Sequence, residues 1–132
     1  MSVSSDQSKS YLQKILSILS NTIISDKQEG IAAGTVATSN QTSSVFDKPN
    51  YKWVAFQFNA TSLNAADGVI KLQDSLDGTN WNDITGATIT VATGTSTNMI
   101  RYTAFTGSFI KAVWTKNSVS AGTISGNFLF KK

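Results

Sequence analysis

The carboxylates within residues 69–84 have the clearest potential for chemistry in this sequence. Asp74, Asp77, Asn80 and Asp83 recur every three residues, and carboxylate and amide oxygens are ligands for a hard cation such as Ca²⁺. The spacing differs from that of an EF-hand, and Asp and Asn are also the ordinary residues of tight turns. We therefore expect these side chains to form a turn, and we keep a calcium site built on Asp74, Asp77 and Asp83 as the less favoured alternative.

The sequence contains little other material for catalysis. It has no cysteine and no histidine, which excludes disulfides, thiol nucleophiles, histidine bases and zinc sites built on those residues. The single glutamate, Glu29, lies outside residues 69–84, so a carboxylate pair for glycoside hydrolysis would have to come from the aspartates alone. We predict that the protein is not an enzyme and uses no cofactor.

A β-hairpin is the element that must position these groups. Ile70 and Leu72 alternate with polar residues, as in a strand with one buried face, and turn formers occupy residues 76–80 before Trp81 resumes the apolar run. Trp53, Trp81 and Trp114 would form a platform for sugar rings if they were exposed together, but a tryptophan more often closes a sandwich core. Trp81 is the best candidate of the three for an exposed ring. Together with Asp77 and Asn80 it supports an alternative hypothesis, that of a carbohydrate-binding module that recognises glycans through the hairpin at 75–83.

Short apolar alternations separated by Gly, Asn, Ser and Thr continue on both sides of the hairpin. They predict an all-β domain at residues 31–132, an antiparallel β-sandwich or jelly roll of about seven or eight strands. Strict alternation places Ile100 and Tyr102 on one face of a strand and Met99 and Arg101 on the other. It also assigns the buried positions, which are Val54, Phe56, Phe58, Ile70, Leu72, Ile89, Ile110, Trp114, Phe128 and Phe130.

Residues 8–27 show a helical period instead, which predicts an amphipathic helix within an N-terminal segment of residues 1–30. Its apolar residues are Tyr11, Leu12, Ile15, Leu16, Leu19 and Ile23. They cover more than one stripe, so packing on the sandwich would leave part of them exposed. We expect an assembly helix that associates with other copies or with a neighbouring subunit. The alternatives are packing on its own domain and, as second choice among external partners, contact with a membrane surface through its lysines.

The amino-acid composition limits the classes of partner that we expect for this protein. Ser, Thr and Asn are abundant, only 14% of the residues are charged, and the net charge is +3. The lysines and the arginine are spread singly along different predicted strands, so we expect no nucleic-acid partner. Asp6 and Lys14 argue against a secretory signal, which leaves lysis or assembly as the expected route out of a cell.

The motif from Ser75 to Trp81, S-x-D-G-x-x-W, resembles a hairpin that recurs in small β-sandwich proteins of bacteriophage virions. It is also similar to a hairpin of discoidin-like carbohydrate-binding domains, and to the Asp-box of sialidase propellers with one residue fewer between Asp and Gly. The chain as a whole, with a helix, a hydroxyl-rich sandwich and no cysteine, resembles capsid vertex or penton proteins, decoration proteins and head-fibre bases. The resemblance implies a structural virion protein, located in the virion, that forms a homo-oligomer and contacts other capsid proteins.

Overall fold

The computed structural model describes residues 10–15 and 25–132. Residues 10–15 form a helix, α1, and the described part of the chain then contains nine strands. They are β1 Ser25–Val36, β2 Gln41–Thr42, β3 Phe46–Asp47, β4 Trp53–Leu63, β5 Gly68–Ser75, β6 Asn82–Val91, β7 Gly94–Ala104, β8 Phe109–Thr115 and β9 Thr123–Lys131. Two of these, β2 and β3, are only two residues long, which accounts for the excess over the predicted seven or eight.

The strands form two antiparallel sheets, which confirms the predicted β-sandwich with an N-terminal helix. The four-stranded sheet has the order β1-β9-β4-β7. The five-stranded sheet has the order β2-β8-β5-β6, and β3 also pairs with β8. Because side chains alternate along each strand, one face of each sheet is apolar and packs on the other sheet.

Aromatic rings fill the space between the sheets. Trp114 is fully buried and stacks on Phe58 at a centroid distance of 5.3 Å, and its indole nitrogen donates a hydrogen bond to the carbonyl of Ala37 (3.1 Å). Nine of the ten predicted core residues are buried, and the tenth, Ile89, is half-buried against the core. The alternation in the sequence therefore predicted the core correctly.

Three strands carry glycine where a ring packs directly on their backbone, at Gly30, Gly68 and Gly126. A Cβ atom at Gly68 would lie 2.1 Å from the Trp114 ring, and one at Gly126 would lie 2.2 Å from the Phe56 ring. Any side chain at these positions would displace an aromatic residue from the core, so the sandwich depends on glycine there.

The first strand begins earlier than the sequence predicted. The predicted helix extends to Lys27 and the predicted domain boundary lies after residue 30, whereas β1 starts at Ser25. The helix end was wrong because residues 25–29 alternate and pair with β9, from Ser25 opposite Lys131 to Glu29 opposite Asn127. The division of the chain into two units stays a prediction. Leu16, Leu19 and Ile23 of the predicted assembly helix lie outside the described residues, and within the described part no helix is long and apolar enough to cross a membrane.

Candidate functional site

The hairpin tip, residues 75–81, is held by hydrogen bonds among its own residues. The Ser75 side chain is buried, and its hydroxyl donates to Asp77 Oδ1 (2.9 Å) and accepts from the backbone amides of Gly78 (2.9 Å) and Asp77 (3.3 Å). Asp77 Oδ1 also accepts from the amides of Thr79 and Asn80, both at 2.8 Å. Asp77 Oδ2 accepts from Asn80 Nδ2, again at 2.8 Å. Both carboxylate oxygens of Asp77 are thus bonded within the turn.

These donors stabilise the charged form of the carboxylate. The backbone amides of Asn80 and Thr79, followed by the side chains of Asn80 and Ser75, hold the pKa of Asp77 well below its usual range. The left-handed φ of 75° at Gly78 is the conformation that glycine adopts without strain. The motif from Ser75 to Trp81 is therefore explained by turn formation.

The three candidate calcium ligands have separate partners. Asp74 Oδ2 accepts from the amides of Thr106 (3.1 Å) and Gly107 (3.3 Å). Asp83 accepts from Gln73 Nε2 (2.8 Å) and pairs with Lys71, and both contacts lower the pKa of its carboxyl group. No group of three or more acidic side chains placed to hold a metal ion occurs at residues 10–15 or 25–132. The calcium site is thus a prediction that no geometry here favours.

The three tryptophans lie in different environments. Trp114 is buried in the core, while Trp53 is 43% exposed on the outer face of the four-stranded sheet. Trp81 is half-buried, and Lys111 Nζ lies 4.2 Å from its ring centroid, in cation–π contact. They form no common platform for sugar rings, and Trp81, the best candidate for an exposed ring, is only partly exposed.

A second candidate site lies on the outer face of the four-stranded sheet. It is a groove of about 390 Å³ on the solvent side, which we call the sheet groove. Ala55 lies in its middle, on β4 between the neighbouring strands β9 and β7. The lining residues are Lys27, Ala55, Phe56, Gln57, Met99, Arg101, Tyr102, Asn127, Phe128 and Leu129. Most of the surface is therefore apolar, with two amides in the lining and two cations.

A β-bulge shapes one wall of the sheet groove. Val54 pairs with Thr103 and Phe56 with Ile100, so Ala55 alone faces both Arg101 and Tyr102. Both side chains are consequently exposed on the outer face, where the sequence had placed them on opposite faces. That expectation was wrong for Tyr102, because a bulge inserts one residue and breaks the alternation. Lys131 Nζ lies 5.4 Å from the Tyr102 ring centroid, which adds a third positive charge near the groove.

The described part of the predicted assembly helix presents its apolar residues to solvent. Tyr11 is 67% and Leu12 is 58% exposed, and Ile15 is exposed as well. These three residues and the sheet groove are two exposed apolar surfaces in the described part of the chain.

Comparisons with known proteins find similarity of fold only. No family model matches the chain, and no curated protein matches it significantly. Its structure is similar to the chitosan-binding module 1 of a chitosanase/glucanase from Paenibacillus sp. IK-5, with 17% identity, a TM-score of 0.44, and coverage of 80% of this chain and 92% of the module.

Two further structures show the range of similar proteins. The coat protein of Tobacco streak virus has 11% identity and a TM-score of 0.44, with coverage of 82% of this chain and 85% of the coat protein. The C-terminal domain of a chitobiase from Bacteroides fragilis has 17% identity and a TM-score of 0.43, with coverage of 70% of this chain and 62% of that domain. These similarities concern the fold alone.

Proposed function

We propose that the protein is a non-enzymatic structural component of a bacteriophage virion, associated with the capsid as a homo-oligomer. A vertex or penton protein, a decoration protein and a fibre base are the roles that fit. The resemblance of the motif from Ser75 to Trp81 and of the whole chain to such proteins supports the phage assignment. The proposal does not depend on the weak structural similarities described above.

One observation carries the proposal: the polar groups are committed to the fold, whereas apolar groups are left uncovered. Asp77 is bonded within the hairpin tip, and Asp74 and Asp83 have their own partners. Tyr11 and Leu12 of α1 are more than half exposed. A surface on which the polar side chains are hydrogen-bonded and large apolar side chains are exposed favours protein–protein association over catalysis.

The N-terminal helix is the assembly element in this proposal. Burial of each large aliphatic or aromatic side chain is worth about 1.5–3 kcal/mol. Burial of several such residues per copy would offset part of the cost of ordering the segment, which is about 1–2 kcal/mol per residue for the backbone alone. A membrane surface is the second choice for the same helix, because three lysines are few for an interfacial helix.

Quantitative mass spectrometry of purified virus particles tests the proposal directly. We expect the protein in the particles in several copies, in a fixed ratio to the major capsid protein. The control is a full-length variant, Leu12→Asp/Ile15→Asp, which should still fold as a β-sandwich by circular dichroism but should be depleted from particles. Absence of the native protein from washed particles would overturn the virion assignment.

The second candidate function is a carbohydrate-binding module that acts through Asp77, Asn80 and Trp81. Its support is the half-buried Trp81 ring beside an exposed turn. Its weakness is that the polar atoms of Asp77 and the Asn80 amide already bond to each other, so a sugar would have to displace bonds within the turn. Glycan-array binding that is lost in Trp81→Ala, combined with absence from particles, would reverse our order.

A further inference from the structure

We propose that the sheet groove of one copy binds the N-terminal segment, residues 8–24, of a second copy. The inference rests on the homo-oligomer in the proposed function and names the surface through which it forms. The groove of one copy would bind the exposed apolar residues of α1 from the other copy, and these residues would cover the apolar lining of the groove.

The shape of the sheet groove suits an apolar side chain. Ala55 is the smallest residue of its lining and lies among the larger Met99, Tyr102 and Leu129. Met99 is 46% and Tyr102 is 45% exposed, so large apolar area remains in contact with water. An aliphatic side chain seated on Ala55 would contact all three neighbours, in the way that an apolar helix face docks in a groove.

The strand that follows the N-terminal segment runs beside the groove. The chain enters the sandwich at Ser25, and two residues later Lys27 lines the groove. β1 is an edge strand, and the middle of the groove on β4 lies two strands away, a distance of about 10 Å across the sheet. Two copies that place these faces together can therefore exchange their segments reciprocally, which gives a closed two-fold arrangement.

The structure of the single chain favours a second copy over the chain's own segment. Tyr11, Leu12 and Ile15 are exposed, and so are Met99, Arg101 and Tyr102, so the described part of the segment does not cover its own groove. The charges give no long-range attraction, because Lys27 and Arg101 at the groove and Lys9 and Lys14 in the segment have the same sign. Association should accordingly be apolar in character and should not weaken with salt.

Disulfide trapping in this cysteine-free chain tests the contact. Two single variants of the full chain, Ile15→Cys and Met99→Cys, carry different affinity tags and are mixed and oxidised with diamide. We expect a disulfide-linked dimer that contains both tags. The matched control replaces Met99→Cys by Thr61→Cys, which lies on β4 outside the groove lining and should give at least tenfold less of the linked species.

The outcomes separate the occupants. No linked species, or equal yields with Met99→Cys and Thr61→Cys, would overturn the proposal. A link that forms only inside a double variant Ile15→Cys/Met99→Cys, as a monomer, would identify the chain's own segment as the occupant and also overturn it. A link only between two Ile15→Cys chains would indicate a helical bundle instead.

A second measurement separates this inference from the proposed function. In analytical ultracentrifugation, Ala55→Arg should weaken self-association at least tenfold without a change in the circular-dichroism spectrum, and wild-type association should be equal or stronger at 1 M than at 0.1 M NaCl. If Leu12→Asp/Ile15→Asp is monomeric but Ala55→Arg is not, the helix assembles the protein elsewhere and only this inference fails. If both variants stay oligomeric, the assembly role of the helix fails too. Monomeric protein that binds phosphatidylserine vesicles in a salt-sensitive way would replace the second copy by a membrane surface.

Discussion

The hairpin tip and the sheet groove lie on the two different sheets of the sandwich and use their residues in opposite ways. At the hairpin tip, Ser75, Asp77 and Asn80 satisfy one another and the nearby amides. In the sheet groove, Met99 and Tyr102 contribute apolar surface that remains exposed in the described part of the chain. The Asp and Asn residues that suggested a binding site in the sequence therefore stabilise the turn. Apolar residues that belong to no sequence motif provide the exposed surface.

This difference shows what an aspartate-rich motif can and cannot indicate. The two oxygens of the Asp77 carboxylate accept four hydrogen bonds within its own turn, so protein donors replace part of its hydration. A ligand would have to compete with bonds that form at no cost in translational entropy. Exposed apolar area has no such internal competitor, so it is the better guide to a partner in this molecule.

The largest effect should come from the core residue below the groove. Phe128 is fully buried, and we expect Phe128→Ala to lower the free energy of unfolding by about 3–5 kcal/mol, because it leaves a cavity among stacked rings. Chemical denaturation measures this change. Leu129→Ala, the next residue on β9, is half-buried on the outer face and should cost clearly less; equal losses would mean that the groove is part of the core and would break the comparison.

The next effect should come from the hydroxyl inside the hairpin tip. Ser75→Ala removes the acceptor of the Gly78 and Asp77 amides, and we expect a loss of about 0.5–1.5 kcal/mol because the half-buried Gly78 amide would lose its hydrogen bond. Denaturation curves and faster hydrogen exchange at Gly78 should report it. Thr93→Ala, at an exposed position, is the control, and a loss in Ser75→Ala no larger than in that control would mean that the tip is not held by its hydroxyl.

Acid should sharpen the comparison, because the hairpin tip contains a carboxylate with a lowered pKa whereas the lining of the sheet groove contains no carboxylate. Since the folded-state pKa of Asp77 lies below its ordinary value near 3.8, its contribution to stability is complete above that pH and is lost as the pH falls below it. Asp77→Asn should therefore melt at a lower temperature than wild type at pH 7, and the difference should shrink between about pH 4 and pH 2. Thermal melts across this range measure it, with Glu29→Gln as a charge control; a difference that stays constant with pH would contradict the role of the charge.

The smallest effect on stability should come from the groove itself. Met99 is 46% exposed, so Met99→Ser should change the free energy of unfolding by no more than about 0.5 kcal/mol. The same variant should weaken self-association, because the apolar contact area decreases. A destabilised but still associating protein would reverse the assignment of this surface.

The sequence was sufficient wherever the structure follows a local rule. The hairpin from β5 to β6 was predictable because alternation and turn residues lie within one stretch, and Trp114 was predictable as core from its place beside Ile110 and Ala112. The start of β1 was not, because residues 25–29 are strand only through pairing with β9, about a hundred residues away.

The sheet groove was also out of reach of sequence reasoning. Its wall depends on the bulge that turns both Arg101 and Tyr102 outward, and no glycine or proline marks that bulge in the sequence. Its lining comes from four strands that are separated in the chain. Only the pairing register shows that Lys27, Ala55, Met99 and Leu129 form one surface, whereas the hairpin tip is contained in seven consecutive residues.

The position of β9 has a consequence for synthesis on the ribosome. It follows all the other strands along the chain, yet it lies between β1 and β4 in the four-stranded sheet. While a nascent chain lacks β9, β1 has no partner strand. The sheet groove is also incomplete, because three of its lining residues belong to β9. Formation of this sheet must wait for pairing over a long sequence separation, which is slow compared with local pairing. A chain that ends before β9 would therefore leave β1 unpaired and one edge of β4 exposed.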